Sequence, residues 1–253
     1  MPDVIRLSMY QVAAMLGCQW WESKINPGEY HNNQTDPTSQ YTDLGVGLGM
    51  WTDDPADTKT RLHIADEFFI WMQNHGYDWW DAVGQYNCII ADELNIYGTA
   101  TNRLPGSMWM LIDPSNTAMY SRFGYLNTKY PTFSDWLNDT QNNNVEELAL
   151  AYFIMWETPG TYAIFNGPPY YNWDKRRASA YDIFNYLTVH GNDEISDGWY
   201  YEIGYVFIPD QKAYDNCVLA WQYLGSGVVP PPGPGPTPTK KKGMPLWMKL
   251  RYF

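Results

Sequence analysis

Apolar residues recur at Val12, Met15 and Leu16 after Ser8, and Gln11 stands where a capping box places an amide three residues beyond its serine. The spacing predicts a helix from Ser8 to Glu22, which Pro27-Gly28 stops from running on. Leu62, Ala65, Phe69 and Met72 make a second stripe, predicting a helix over 60–74 with Gly76 as its cap. Further helices are predicted over 79–94, 132–139 and 145–157, the last with Asn144 as N-cap, Glu146 and Glu147 in its first turn and Pro159 as its stop. Two more, over 175–187 and 211–224, complete the set. Strand-like alternation is scarce, and "WYYEIGYVFI" at 199–208 is its best instance. The class is mainly α with a little β, an α+β fold.

The stretches between these elements are informative. Residues 29–45 are polar, rich in turn formers and longer than an ordinary connection, which suits a small hairpin or a cleft wall. "GVGLGMWT", from Gly45, puts three glycines into five positions and so lets backbone approach backbone or ligand closely. Residues 227–239, "GVVPPPGPGPTPT", read as a stiff polyproline spacer, followed by the cationic-aromatic "KKKGMPLWMKLRYF". The expected division is a domain over 1–190, an extension packed on it over 191–226, the spacer, and a tail over 240–253.

Charge narrows the function. The net charge is −12, all 28 acidic residues precede residue 216, and five of the 16 cationic residues crowd into 240–251. So acidic a body repels nucleic acid. No apolar run approaches the roughly 18 residues of a membrane span, and the N-terminus has no signal-peptide pattern. Cys18, Cys88 and Cys217 lack metal or redox spacing and read as buried apolar residues. Cys18 has no basic residue beside it, which argues against a cysteine peptidase using His31 or His63. His63 and His75 are twelve apart with no H-E-x-x-H, so neither a metal nor a cofactor is expected. No lysine or helix start follows Gly45, Gly47 and Gly49 as a phosphate loop requires.

The candidate chemistry is at Glu22. A carboxylate in the last turn of a helix lies at the negative end of the dipole, and flanking Trp20 and Trp21 further disfavour its charged form, which together suit a proton donor to a glycosidic oxygen. The plainer alternative is a solvated helix-end glutamate. "AAMLGCQWWESKINPGEY" followed by "GVGLGMWT" resembles the phage tail-lysin and endolysin branch of the lysozyme-like superfamily, related to goose-type lysozymes and lytic transglycosylases. "FIMWETPG" and "DKRRASAYDIFNYL" are similar to downstream elements of the same domain, so the resemblance spans about residues 1–190. Met50 stands where these families often have glutamine, and Cys18 where they often have asparagine.

The resemblance implies a lysozyme-like fold with a small β lobe, Glu22 as catalytic acid, and a saccharide cleft lined by Trp21, Gly47, Leu48, Gly49 and Trp51. The substrate it implies is bacterial peptidoglycan, cut between N-acetylmuramic acid and N-acetylglucosamine, by a protein of the phage virion or one released into the host wall. For a second carboxylate, Asp43 just before the glycine turn comes first and Asp36 second, either of them otherwise a turn-capping residue; a transglycosylase needs neither. Glu157 reads as structural, paired with Arg176 or Arg177. The tail reads as a dock for a phage tail protein, or as a cationic segment drawn to anionic wall polymer. The rival from another class is a catalytically silent wall-binding or tail structural protein that keeps the cleft.

Overall fold

The computed structural model describes residues 6–32, 44–49, 51–53, 64–91, 109–156, 173–204 and 206–225. Helix α1 (Met9–Glu22) is the central element, buried from Gln11 to Gln19. The predicted capping box forms: Ser8 Oγ accepts from the Gln11 amide N–H, and the Ser8 N–H donates to Gln11 Oε1. The far side of the Gln11 amide donates to the Trp136 and Leu137 carbonyls at 2.6 and 3.0 Å, so one side chain both caps the helix and ties it to a neighbour.

Helices α2 (Ile64–Asn74) and α3 (Ala82–Ala91) follow a three-stranded antiparallel sheet of β1 (Tyr30–Asn32), β2 (Leu44–Val46) and β3 (Trp51–Asp53) in the order β1-β2-β3. Tyr30 is opposite Val46, and Val46 opposite Trp51. After them come α4 (Thr117–Phe123), α5 (Tyr125–Lys129), α6 (Phe133–Asn138) and α7 (Val145–Ala151), which passes into a π-helical turn (Tyr152–Trp156), then α8 (Trp173–His190) and α9 (Asp210–Leu224). Helices α7 and α8 pack against α1. Gly17 permits the approach of α8, since a Cβ there would lie 2.6 Å from the Ala180 backbone. The fold is mainly α with a little β, as the pattern predicts, and is consistent with the lysozyme-like domain that the resemblance implies.

Several elements differ from expectation for visible reasons. Helix α3 begins at Ala82 rather than 79, because the Asp81 carboxylate accepts from the Gly84 N–H and its carbonyl from the Gln85 N–H. The α-helix after Asn144 ends at Ala151, and the next five side chains, Tyr152 to Trp156, are all buried, more than one face of an α-helix can hide. Helices α4 and α5 carry no apolar stripe in sequence and were not predicted; Asn116 caps the first of them. The described part of 199–208 is not a strand. It crosses the α1–β1 connection with a bend at Ile203 and one bridge, Glu29 to Gly204. Beyond the Gly204 backbone bonds to Gly28 and Tyr30, side chains meet its polar atoms: Asn216 of α9 accepts from the Tyr200 N–H and donates to the Tyr200 carbonyl. All three cysteines are buried. Among the described residues, no helix is long and apolar enough to cross a membrane. The tail, the spacer, Glu157, Asp36, Asp43 and Met50 lie outside the described residues.

Candidate functional site

Glu22 is the last residue of α1, and the chain reverses directly behind it. Ser23 donates its N–H to Gln19 O at 2.9 Å, then Lys24 and Ile25 both adopt φ of 55°, a left-handed conformation unusual for any residue with a Cβ and more so for a β-branched one. Two such residues cost on the order of 1–3 kcal/mol each and persist only where the surroundings over-determine them. Here Asn216 Nδ2 donates to the Ile25 carbonyl at 2.9 Å, and the Asn26 N–H donates to Ser23 O. Ile25 is fully buried. Lys24 lies 4.7 Å from the Trp20 ring centre and pairs with Asp210 at 2.7 Å.

The Asn26 amide uses both its ends. Oδ1 accepts from the Gly28 and Glu202 N–H groups, and Nδ2 donates to Glu29 Oε2 and to the Glu202 and Val206 carbonyls. The glycine turn is stitched to the same loop. Gly47 has φ of +68°, its N–H donates to the Glu29 carbonyl, and a Cβ there would sit 2.7 Å from Gln85 Oε1. That oxygen accepts the Leu48 N–H at 2.7 Å, while Gln85 Nε2 donates to the Pro27 and Trp79 carbonyls. Ser23 Oγ reaches the Leu48 carbonyl at 3.4 Å. The Glu-Ser, Asn-Pro-Gly and Gly-Leu elements singled out in the sequence therefore meet, with Gly49 closing the turn and Trp51 opening β3 beyond it.

The surroundings of Glu22 are not the pair of indoles expected. Trp20 turns toward Tyr214 of α9, with ring centres 5.0 Å apart. Trp21 donates its indole N–H to Ser179 Oγ of α8 at 2.9 Å and is 44% exposed. Glu22 Oε1 instead accepts from Arg176 of α8, whose guanidinium lies over the Phe153 ring, 4.4 Å from its centre. The Arg176 side chain is 4% exposed and that of Glu22 25%, so the cation is buried while the carboxylate keeps an open edge. Arg177, the other cation expected near Glu157, pairs with Glu146 and Asp174.

Glu29, which no sequence pattern singles out, is a second unusual carboxyl. It is 1% exposed at the entry to β1, and burial pushes it up from 4.5 to about 7 against the pull of the Asn26 amide and the Val206 backbone. Gln85 and Asn216 were also missed, though a signal exists for both. Each is a polar residue within the apolar stripe of its helix, Gln85 between Ala82 and Ile89, Asn216 between Ala213 and Ala220. Asn216→Ala strands the Ile25 carbonyl and both Tyr200 backbone groups and is expected to lower stability by about 3 kcal/mol. Urea unfolding checks it, and a cost near that of a surface substitution would remove Asn216 from this account.

A helix that ends in a part-exposed carboxylate, with the next residue hydrogen-bonded to a glycine turn beside a small sheet, is the layout that the resemblance to lysozyme-like domains implies. The comparison with protein families is more specific: the phage tail lysozyme family matches residues 5–187, and the chain belongs to that family. No curated protein and no solved structure gives a match. The family is one of phage proteins that degrade the bacterial cell wall, with peptidoglycan as substrate.

Proposed function

We propose that this chain hydrolyses the peptidoglycan bond between N-acetylmuramic acid and N-acetylglucosamine, with Glu22 giving a proton to the leaving glycosidic oxygen. The observation that supports this reading best is the Ser23 hydrogen bond to the Leu48 carbonyl, which holds the residue next to Glu22 against the glycine turn. In this reading Gly47 and Leu48, which are buried, shape the turn from behind, a glycan passes Gly49, its partly exposed residue, to reach the open edge of Glu22, and the exposed Trp21 indole offers a face on which a sugar ring stacks. The filling cleft displaces Arg176 Nη2 from the carboxylate, which takes up a proton from solvent and passes it to the leaving oxygen as the glycosidic C–O bond breaks. Asp43 or Asp36 would activate the attacking water or act as nucleophile; without either, the substrate's own hydroxyl serves and the enzyme is a transglycosylase.

The family's description favours a tail-associated lysin acting at entry over one released at lysis. The 240–253 tail is then the segment that docks on a phage tail component. Mass spectrometry of the fragments from purified peptidoglycan tests the chemistry. Products ending in reducing N-acetylmuramic acid are expected. Anhydro-sugar ends would replace hydrolysis by transglycosylation, and the release of no fragments at all would leave a silent wall-binding protein.

A further inference from the structure

Three consecutive cations, Lys175, Arg176 and Arg177, occupy the first turns of α8 (Trp173–His190). Positive charge there opposes the helix dipole, so helix stability does not explain it. Two of the three have carboxylate partners: Arg176 holds Glu22, and Arg177 holds Glu146 and Asp174. Lys175 pairs with no carboxylate among the described residues; its Nζ lies 4.9 Å from the centre of the Trp21 ring. Ser179, one turn further along α8, fixes that ring through its indole N–H. An exposed indole is thus held by a lysine and a serine at i and i+4 of one helix, with Glu22 next to it in the chain and bound by the residue between them.

The substrate class gives this cation something to bind. In peptidoglycan every second sugar carries a lactyl group bearing either a free carboxylate or a peptide with carboxylates of its own, whereas chitin-type glycans carry no charge. A protein of net charge −12 repels such a polymer unless cations stand at the point of contact. We propose that Lys175 is a specificity-determining residue, pairing with a carboxylate on the lactyl-peptide substituent of a muramic sugar while the neighbouring ring stacks on Trp21. This rests on the reading of Trp21 and Glu22 as cleft residues.

The test is equilibrium binding at low salt of three small probes: chitobiose, the disaccharide GlcNAc–MurNAc with a free lactyl carboxylate, and the same disaccharide bearing L-Ala–D-Glu. The intact chain should prefer the charged probes to chitobiose by about fivefold, the scale of one exposed ion pair, with the margin shrinking as salt is added. Lys175→Gln should abolish that preference and Lys175→Arg should keep it. Preference for the free-lactyl probe alone assigns the lactyl carboxylate, preference for the peptide-bearing one alone assigns the stem, and equal preference means that either carboxylate reaches Lys175; all three support the proposal. A preference that survives in Lys175→Gln, or is missing in the intact chain, overturns it. None of the probes offers a MurNAc–GlcNAc bond to cut. Lost cleavage with the preference intact therefore sinks only the glycosidase reading, and lost preference with cleavage intact sinks only this one.

Discussion

Glu22→Gln is expected to reduce fragment release from purified peptidoglycan by about 10²-fold or more, the scale of general acid catalysis, because the amide keeps the shape of the side chain and has no proton to give. The same change also touches stability. A solvated helix-end glutamate would lose nothing on becoming glutamine, but Arg176 is 4% exposed and donates to Glu22 Oε1. Glu22→Gln takes one charged hydrogen-bond partner from a buried guanidinium, at a cost of about 1.5–3 kcal/mol for such a bond. With Glu22 a quarter exposed, the lower end of that range is the expected loss.

The two effects separate in a cycle with Arg176→Met, which replaces the cation by an apolar side chain over the Phe153 ring. Each single variant should lose stability, and the double variant should lose less than the sum of the two, since both remove the same Glu22–Arg176 bond. Activity should not recover, because the proton donor is still absent. A double variant that regains wall cleavage along with stability would show that Glu22 serves the fold alone. A Glu22→Gln protein that keeps most of its cleavage rate would remove it as the acid.

How far the sequence reached depended on how local each signal was. Helix α1 could be read with its cap because Ser8 and Gln11 are three residues apart, and the motif around Glu22 lies within one stretch of chain. Most of what surrounds that motif comes from far away: Arg176 is 154 residues from Glu22, and Asn216 is 191 from Ile25. Alternation alone made a strand of 199–208, whereas in the fold its polar groups are taken up by Asn26 and Asn216. Glu29 was indistinguishable from the polar residues that follow it, since what buries it is the distant segment running past Gly204.

That buried carboxyl gives the second large effect, in stability against pH. The folded chain holds Glu29 at about 7 and the unfolded chain near 4.5, so between those values the folded state binds the extra proton. Stability then falls as pH rises through that window, by about 3 kcal/mol in all; below 4.5 the group is protonated in both states and contributes no slope. Ionisation leaves an unscreened charge beside Asn26 and the 202–206 backbone. Among the described residues no charged group acts on Glu29 to compensate: Lys24 pairs with Asp210, and Glu202 accepts from the Tyr200 hydroxyl. Glu29→Gln mimics the protonated form and keeps an oxygen for the Asn26 Nδ2. Urea unfolding of both proteins at pH 4.5 and pH 8 isolates the effect, since every other titrating group cancels in the difference. The two should be nearly equal in stability at pH 4.5, and the variant should be more stable by about 3 kcal/mol at pH 8. A difference that stays constant across the range would mean that Glu29 is ionised in the fold and that its tie to the 202–206 segment does not depend on its proton.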